Sequence, residues 1–364
     1  MASEIARLND FGQSPWYDNL ARSLLLDGGL RRLVDDDGIR GVTSNPTIFE
    51  KAMAEGDVYD EGLRACAADG LGIEDSYWRL VVEDVGAAAD LLRRVFDATE
   101  GADGFVSVEV SPDLAHDTVG TIEQAKELFA RLGRPNVMIK IPATVEGLEA
   151  ITATIAAGIN VNVTLIFALA RHAAVIDAYM SGLEKLATSG GDLSTVSSVA
   201  SFFVSRVDTE TDRRLPDEHE LRGKAAVANA KLAHRLFRER FDGKRWDELT
   251  AKGARLQRPL WASTSTKNPA YSPTLYVDDL IGKHTVNTLA PASIDALHEG
   301  KANLRADTVE EGVDKAQEVI HALGKAGVDF DDVTVTLERE GVASFAGSFH
   351  DAFHTLEKKR AEVS

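Results

Sequence analysis

The sequence predicts a (β/α)8 TIM-type barrel with additional helices, as a single domain over residues 1–364. Three observations lead there. Eight short β-rich runs recur along the chain, and stretches with apolar residues at helical spacing lie between them, the alternation expected of parallel βαβ units. No Gly-x-Gly-x-x-Gly follows an early run, which removes the main signature of an open dinucleotide-binding sheet.

In chain order the runs begin with a weak one at Ser14-Pro-Trp-Tyr-Asp18, followed by Gly41-Val-Thr-Ser-Asn-Pro46 and Gly104-Phe-Val-Ser-Val-Glu-Val-Ser111. Asn136-Val-Met-Ile-Lys-Ile-Pro142, Ile159-Asn-Val-Asn-Val-Thr-Leu-Ile166 and Val199-Ala-Ser-Phe-Phe-Val204 come next. Pro259-Leu-Trp-Ala-Ser-Thr264 and Thr285-Val-Asn-Thr-Leu289 complete the eight. Helices are expected over Thr121–Leu132, Val145–Ala157 and Ala225–Phe241. No Pro/Ser linker or low-complexity segment divides the chain, and no phosphate-loop Gly-Lys-Ser/Thr signature occurs.

Composition narrows the function classes. Lys and Arg number 40 against 58 Asp and Glu, a formal net charge of -18. A nucleic-acid binder needs a basic stripe to displace counterions, so none is expected as a partner. Hydrophobic residues make up 44% and charged residues 27%, enough to bury a large core and far from a disordered composition. The single cysteine, Cys66, cannot form an internal disulfide or a cysteine metal cage, which suits a cytoplasmic location. The start, Met1 to Asp10, lacks the basic flank and apolar run of a signal peptide. The longest mainly apolar stretch, Ala150 to Ala170, carries Gly158, Asn160, Asn162 and three threonines. Such groups are costly in lipid, so it reads as a helix followed by a strand, with no membrane partner.

Polar residues at every second strand position require an explanation, because parallel strands covered on both faces read as continuous apolar runs. In the third run Val106, Val108 and Val110 alternate with Ser107 and Glu109; in the fourth, Val137, Ile139 and Ile141 alternate with Met138 and Lys140. In the fifth, Val161, Val163 and Leu165 alternate with Asn160, Asn162 and Thr164. A period of 2 places each polar set on one face. With the apolar set toward the outer helices, Glu109, Lys140, Asn162 and Thr164 line the interior near the carboxyl ends of the strands, where barrel active sites are built. Glu109 and Lys140 read either as a structural ion pair or as chemistry. Buried pairs rarely add net stability, and a desolvated lysine is suited to attack a carbonyl and form an imine. Imine formation expels water, and Glu109 with the Thr164 hydroxyl could hold it.

Val137-Met-Ile-Lys-Ile-Pro-Ala-Thr144 closely resembles the Schiff-base lysine strand of transaldolases. Gly41-Val-Thr-Ser-Asn-Pro-Thr-Ile-Phe49 resembles their second-strand signature, and Gly158-Ile-Asn-Val-Asn-Val-Thr-Leu-Ile-Phe167 their fifth. The resemblance extends through Ala200–Val207 and Leu260–Asn268, covers about Trp16 to Pro291, and is strongest to the longer bacterial branch.

The resemblance implies a cofactor-free, metal-independent enzyme of the non-oxidative pentose phosphate pathway. It would move a dihydroxyacetone unit from sedoheptulose 7-phosphate to glyceraldehyde 3-phosphate, giving erythrose 4-phosphate and fructose 6-phosphate, as a monomer or homodimer. Lys140 would form the imine, Glu109 and Thr164 would orient the exchanged water, and Asp18 would take the hydroxyl proton during carbon–carbon cleavage. Read from the residues alone, Asp18 is equally suited to cap a helix before Leu20. Thr43, Asn45, Asn162 and Ser201 would bind substrate hydroxyls; Asn45 before Pro46 also suits a turn or cap. Arg206 and Ser263 would hold the phosphate. Where shorter relatives place a second arginine two residues after that serine, this chain has Ser265, and the nearest cation is Lys267. The alternatives are a Schiff-base aldolase that releases free dihydroxyacetone, and a sugar-phosphate-binding barrel without turnover.

Three other features read as structural. His350 and His354 are four apart but lack a following Glu and a third ligand, so no metal site is expected. Asp35-Asp-Asp37 lacks calcium-loop spacing and reads as a solvated turn. Trp16, Trp78, Trp246 and Trp261 read as packing residues.

Overall fold

The computed structural model describes residues 3–363; Met1 and Ala2, which begin the stretch read for a signal peptide, and Ser364 lie outside them. Eight parallel strands close into a barrel in chain order. They are β1 (Gln13–Tyr17), β2 (Gly41–Thr43), β3 (Phe105–Glu109), β4 (Val137–Pro142), β5 (Val161–Ile166), β6 (Ser198–Phe203), β7 (Gln257–Ala262) and β8 (Thr285–Leu289). With helices between the strands, this is the expected (β/α)8 barrel.

Most strand ends differ from the expected ones for local reasons. β2 stops at Thr43 because Asn45 caps, and Pro46 opens, the helix Pro46–Ala54; proline suits a first helical position, where its missing N–H is not needed. β7 ends at Ala262, before Ser263 takes a left-handed φ of 57°. The expected helices are found at Thr118–Leu132, Val145–Ala156 and Ala225–Arg240. Asp117 caps the first by accepting from the Gly120 N–H, and Thr144 caps the second by accepting from the Gly147 N–H; each satisfies a donor the helix itself cannot. Ala150 to Ala170 is indeed a helix followed by a strand, and among the described residues no helix is long and apolar enough to cross a membrane.

Strand register fixes what points inward. Thr43 pairs with Ser107, Glu109 with Lys140, and Lys140 with Asn162; paired residues share a face. That face is the interior. Its floor is sealed by Trp16, whose indole N–H donates to Asp103 Oδ1 at 2.8 Å while Arg258 lies 3.3 Å from the same carboxylate. Gly41 is required opposite: a Cβ there would come within 2.4 Å of the Trp16 ring. The alternate residues Val106, Val108, Ile139, Val161 and Val163 are fully buried, each worth roughly 1.5–3 kcal/mol of apolar burial.

The remaining opening, at the carboxyl ends of the strands, is crossed by the 34-residue C-terminal helix Phe330–Val363. It packs against the helices Pro46–Ala54 and Ser205–Arg214. Two details permit the approach. β5 loses register between Val163 and Ile166, where Leu165 adopts φ 60°, a strained conformation for a branched residue. Gly341 of the C-terminal helix lies above it, and a Cβ would meet Leu165 Cδ2 at 2.9 Å.

Candidate active site

A cavity of about 340 Å³ occupies the carboxyl end of the barrel. Asp18, Thr43, Asn45, Lys140, Thr164, Ser201, Arg206, Ser263 and Lys267 all line it, so nine of the eleven residues singled out in the sequence meet at one place. Glu109 lies directly behind Lys140, and Asn162 lies below the wall.

Lys140 is buried, and its ammonium has two close neighbours. It donates to the Ser44 carbonyl at 3.0 Å and lies 3.1 Å from Glu109 Oε2. Burial pushes the Glu109 carboxyl upward, an effect that Lys140 partly offsets, so Glu109 takes up a proton more readily than a free glutamate. Thr164 Oγ1 is buried without a hydrogen-bond partner among the described residues, and Glu109 Oε2 has none beyond its ion pair with Lys140. Both atoms belong to the inward face, on the two strands that flank β4 and its Lys140, and a water or substrate hydroxyl would satisfy them.

Asp18 extends just past β1 and accepts a hydrogen bond from Thr43 Oγ1 at 2.7 Å. Burial raises its carboxyl above the ordinary range, opposed first by that hydrogen bond and then by Lys140. The capping alternative fails, because the following helix, Arg22–Leu26, has Ala21 at its N-cap. Thr43 spends its hydroxyl proton on Asp18, so it orients that carboxylate instead of donating to a substrate.

Two other expectations change. Asn45 Oδ1 accepts from the Ile48 N–H at 3.0 Å, so its oxygen is used in capping and only its amide nitrogen remains for a substrate. Asn162 does not reach the cavity wall. Its Nδ2 donates to Ser107 Oγ at 3.0 Å and its Oδ1 accepts from Ser201 Oγ at 2.6 Å. A fully buried amide with both ends satisfied is a brace beneath the site, and it sets the rotamer of Ser201 above it.

The far wall is cationic. Arg206 makes no hydrogen bond or ion pair with any described residue; its guanidinium lies 5.4 Å from the Phe203 ring centroid and 5.8 Å from that of Phe345. Aromatic faces stabilise a cation without consuming its N–H donors, leaving the fork free for an anion. Ser263 shares a hydrogen bond with Ser205 at 2.9 Å. Ser265 does not line the cavity. Lys267 sits on the segment after β7, which two hydrogen bonds, one buried and one partly buried, tie to the helix Ser205–Arg214 bearing Arg206. Tyr276 donates to Asp208 at 2.8 Å and Tyr271 donates to Asp212 at 2.5 Å. Burial pushes Asp208 up to about 6.

The family model described as Transaldolase/Fructose-6-phosphate aldolase matches residues 15–356. The chain belongs to this family. Within the transaldolase family it is 48% identical over 366 residues to "Transaldolase" from Thermobifida fusca, covering 99% of each chain. It is 47% identical over 360 residues to "Transaldolase" from Saccharopolyspora erythraea, covering 98% of each. A third transaldolase, from Mycolicibacterium paratuberculosis, is 48% identical over 366 residues, with 99% of this chain and 98% of that one covered.

Cavity residues that sequence reasoning passed over include Thr47, Lys51, Thr288 and Phe345. Thr47 and Lys51 had a usable signal: they are four apart on the helix that follows the Thr-Ser-Asn-Pro motif, and therefore share a face. Phe345 had none, since it reaches the site only through the path of the C-terminal helix. The histidines read as structural have carboxylate neighbours. His350 pairs with Asp113 at 3.0 Å and His354 with Glu357 at 3.5 Å, and among the described residues no cluster of metal-ligating side chains occurs. Asp37 is more than a solvated turn, since it accepts from Ser3 and pairs with His298.

Proposed function

We propose that this protein is a transaldolase that carries a dihydroxyacetone unit on Lys140 from a ketose phosphate to an aldose phosphate. The expected pair is sedoheptulose 7-phosphate and glyceraldehyde 3-phosphate, giving erythrose 4-phosphate and fructose 6-phosphate. The observation that carries this reading is the buried Lys140, 3.1 Å from Glu109 and opening into a cavity lined by the Asp18 carboxylate, which Thr43 orients, and by the unpaired Arg206 guanidinium.

The steps follow from that geometry. Lys140 passes a proton toward Glu109 and its amine attacks the donor's keto carbon, forming a carbinolamine. The proton returns to the departing hydroxyl, water leaves, and the protonated imine remains; Glu109 Oε2 and Thr164 Oγ1 are the two groups positioned to hold that water. Asp18 then accepts the proton of the hydroxyl beside the scissile carbon–carbon bond. The bond breaks, its electron pair moves into the imine to form an enamine, and the aldose phosphate departs. Addition of the enamine to the acceptor aldehyde and hydrolysis of the new imine restore free Lys140. Arg206 holds the donor's phosphate until the aldose phosphate departs, and then that of the incoming acceptor. A cytoplasmic location suits this reading and the single cysteine, Cys66, which is buried and unpaired.

Borohydride reduction with fructose 6-phosphate, followed by peptide mass spectrometry, tests the proposal. A dihydroxyacetone-derived mass on Lys140 alone is expected, and Lys140→Arg should lack both adduct and transfer, because a guanidinium stays protonated. Active enzyme with no adduct, or an adduct elsewhere, would overturn it. Product analysis with and without acceptor separates transfer from release of free dihydroxyacetone.

A further inference from the structure

We infer that Lys51 is a further phosphate-binding cation of the active site, reaching the ligand from the helix Pro46–Ala54 at the cavity wall. This rests on the transaldolase reading only for the identity of the ligand; the argument for an anion is one of charge. Among the residues that line the cavity, Lys51, Lys140, Arg206 and Lys267 are cationic and Asp18 alone is anionic. Glu109, behind the wall, pairs with Lys140. Two positive charges are left over, in a protein whose formal net charge is -18. Like charges held together repel unless an anion joins them, and a phosphate monoester brings about 1.5 to 2 negative charges at neutral pH.

Lys51 is placed to share that anion. The helix Pro46–Ala54 is fixed at its start by the Asn45 cap and at its first turn by the hydrogen bond between Thr47 and Ser348, 2.8 Å long, which joins it to the C-terminal helix. Lys51 follows Thr47 by four residues on the same face. Its ammonium makes no hydrogen bond or ion pair with any described residue, and unlike the unpaired surface lysines other than Lys267 it lines the cavity that holds Lys140 and Arg206. The three unpaired cations also sense one another. The Lys267 ammonium is held below its usual range by burial and then by Arg206, with Lys51 adding to the effect and Asp18 opposing it. Arg206 supplies a planar fork, while Lys51 and Lys267 act as compact charges at the same cavity.

The test compares wild type, Lys51→Met, Lys51→Arg and, as a control, the exposed Lys244→Met. Two quantities are read: KM for fructose 6-phosphate and the competitive inhibition constant of inorganic phosphate. A hydrogen bond to a charged group is worth about 1.5–3 kcal/mol, so both constants should rise about tenfold or more in Lys51→Met. Lys51→Arg should recover most of the loss, and Lys244→Met should match wild type. An unchanged phosphate inhibition constant in Lys51→Met overturns the inference, as does an equal change in Lys244→Met, which would mark a long-range field effect. The two readings fail separately. Wild type without transfer or a Lys140 adduct defeats the transaldolase proposal, whereas active wild type with an indifferent Lys51→Met defeats only this one.

Discussion

The Phe345 ring faces the Lys140 ammonium, 5.9 Å from centroid to nitrogen, although the two residues belong to the C-terminal helix and the fourth strand. The same ring stands 5.8 Å from the Arg206 guanidinium, so one side chain closes the cavity over both the imine-forming and the phosphate-facing cation. The C-terminal helix is thus a wall of the site.

Removing the ring should therefore change the fate of the intermediate. Phe345→Ala admits water to the enamine on Lys140, which is then protonated and released as dihydroxyacetone instead of being transferred. The ratio of free dihydroxyacetone to transferred product should rise clearly above that of wild type, because the ring no longer excludes water from the enamine. Phe345→Leu keeps most of the buried volume and controls for lost packing, which costs several kcal/mol when a buried phenylalanine becomes alanine. If both variants partition products as wild type does, the ring only packs.

Glu109→Gln and Thr164→Ala each remove a group positioned for the shuttled water. Glu109→Gln should slow imine formation by a factor of order 10²–10⁴, the usual contribution of general acid–base catalysis. Thr164→Ala should slow it less, since Glu109 remains. Stopped-flow detection of the imine, together with circular dichroism, decides the matter. Unfolding of Glu109→Gln with normal turnover per folded molecule would return Glu109 to the role of ion-pair partner.

Thr43→Val should move the acid limb of the kcat profile to higher pH. The Thr43 hydroxyl donates to Asp18 and favours its charged form, while burial pushes the carboxyl upward. Without the donor the upward effect grows, so Asp18 becomes protonated, and inactive as a base, at a higher pH than in wild type. A profile unchanged in position would show that Asp18 does not set the acid limb.

The barrel and much of its chemistry were legible from two local patterns. Alternation in β3, β4 and β5 identified the inward face holding Glu109, Lys140 and Thr164, because period 2 needs only neighbours along the chain. Asn162 was read onto the correct face, but its depth was not readable: whether an inward amide lines a cavity or braces Ser201 depends on the layer it occupies. Asp18 was ambiguous because a single aspartate before a helical segment fits both a cap and a site; strand pairing through β1 and β2 settled its neighbour as Thr43. Phe345 depends on a helix that follows the last strand and folds back across the mouth, and no local spacing encodes that path.

His172 gives the last prediction, and it concerns acid stability. Its imidazole is fully buried against Phe202, 5.6 Å between ring centroids, and neither ring nitrogen has a hydrogen-bond partner among the described residues. Burial, reinforced by nearby His234, pushes its pKa down to about 3. In the unfolded chain the same ring takes up a proton near pH 6.5. Between these values the unfolded state binds a proton that the folded state refuses. The contribution of His172 to stability is therefore complete above about pH 6.5 and falls by about 1.4 kcal/mol per unit as the pH drops toward 3. Asp208, pushed up to about 6, has the opposite slope and partly masks this in wild type, so the informative quantity is the difference between variant and wild type. His172→Phe keeps an aromatic ring beside Phe202 and removes the titration. Its unfolding free energy, measured by urea denaturation from pH 7 to pH 4, should gain on wild type steadily as the pH falls. A difference that stays constant across this range would show that His172 is protonated in the folded state or reached by water, and that carboxylates alone set the acid limit.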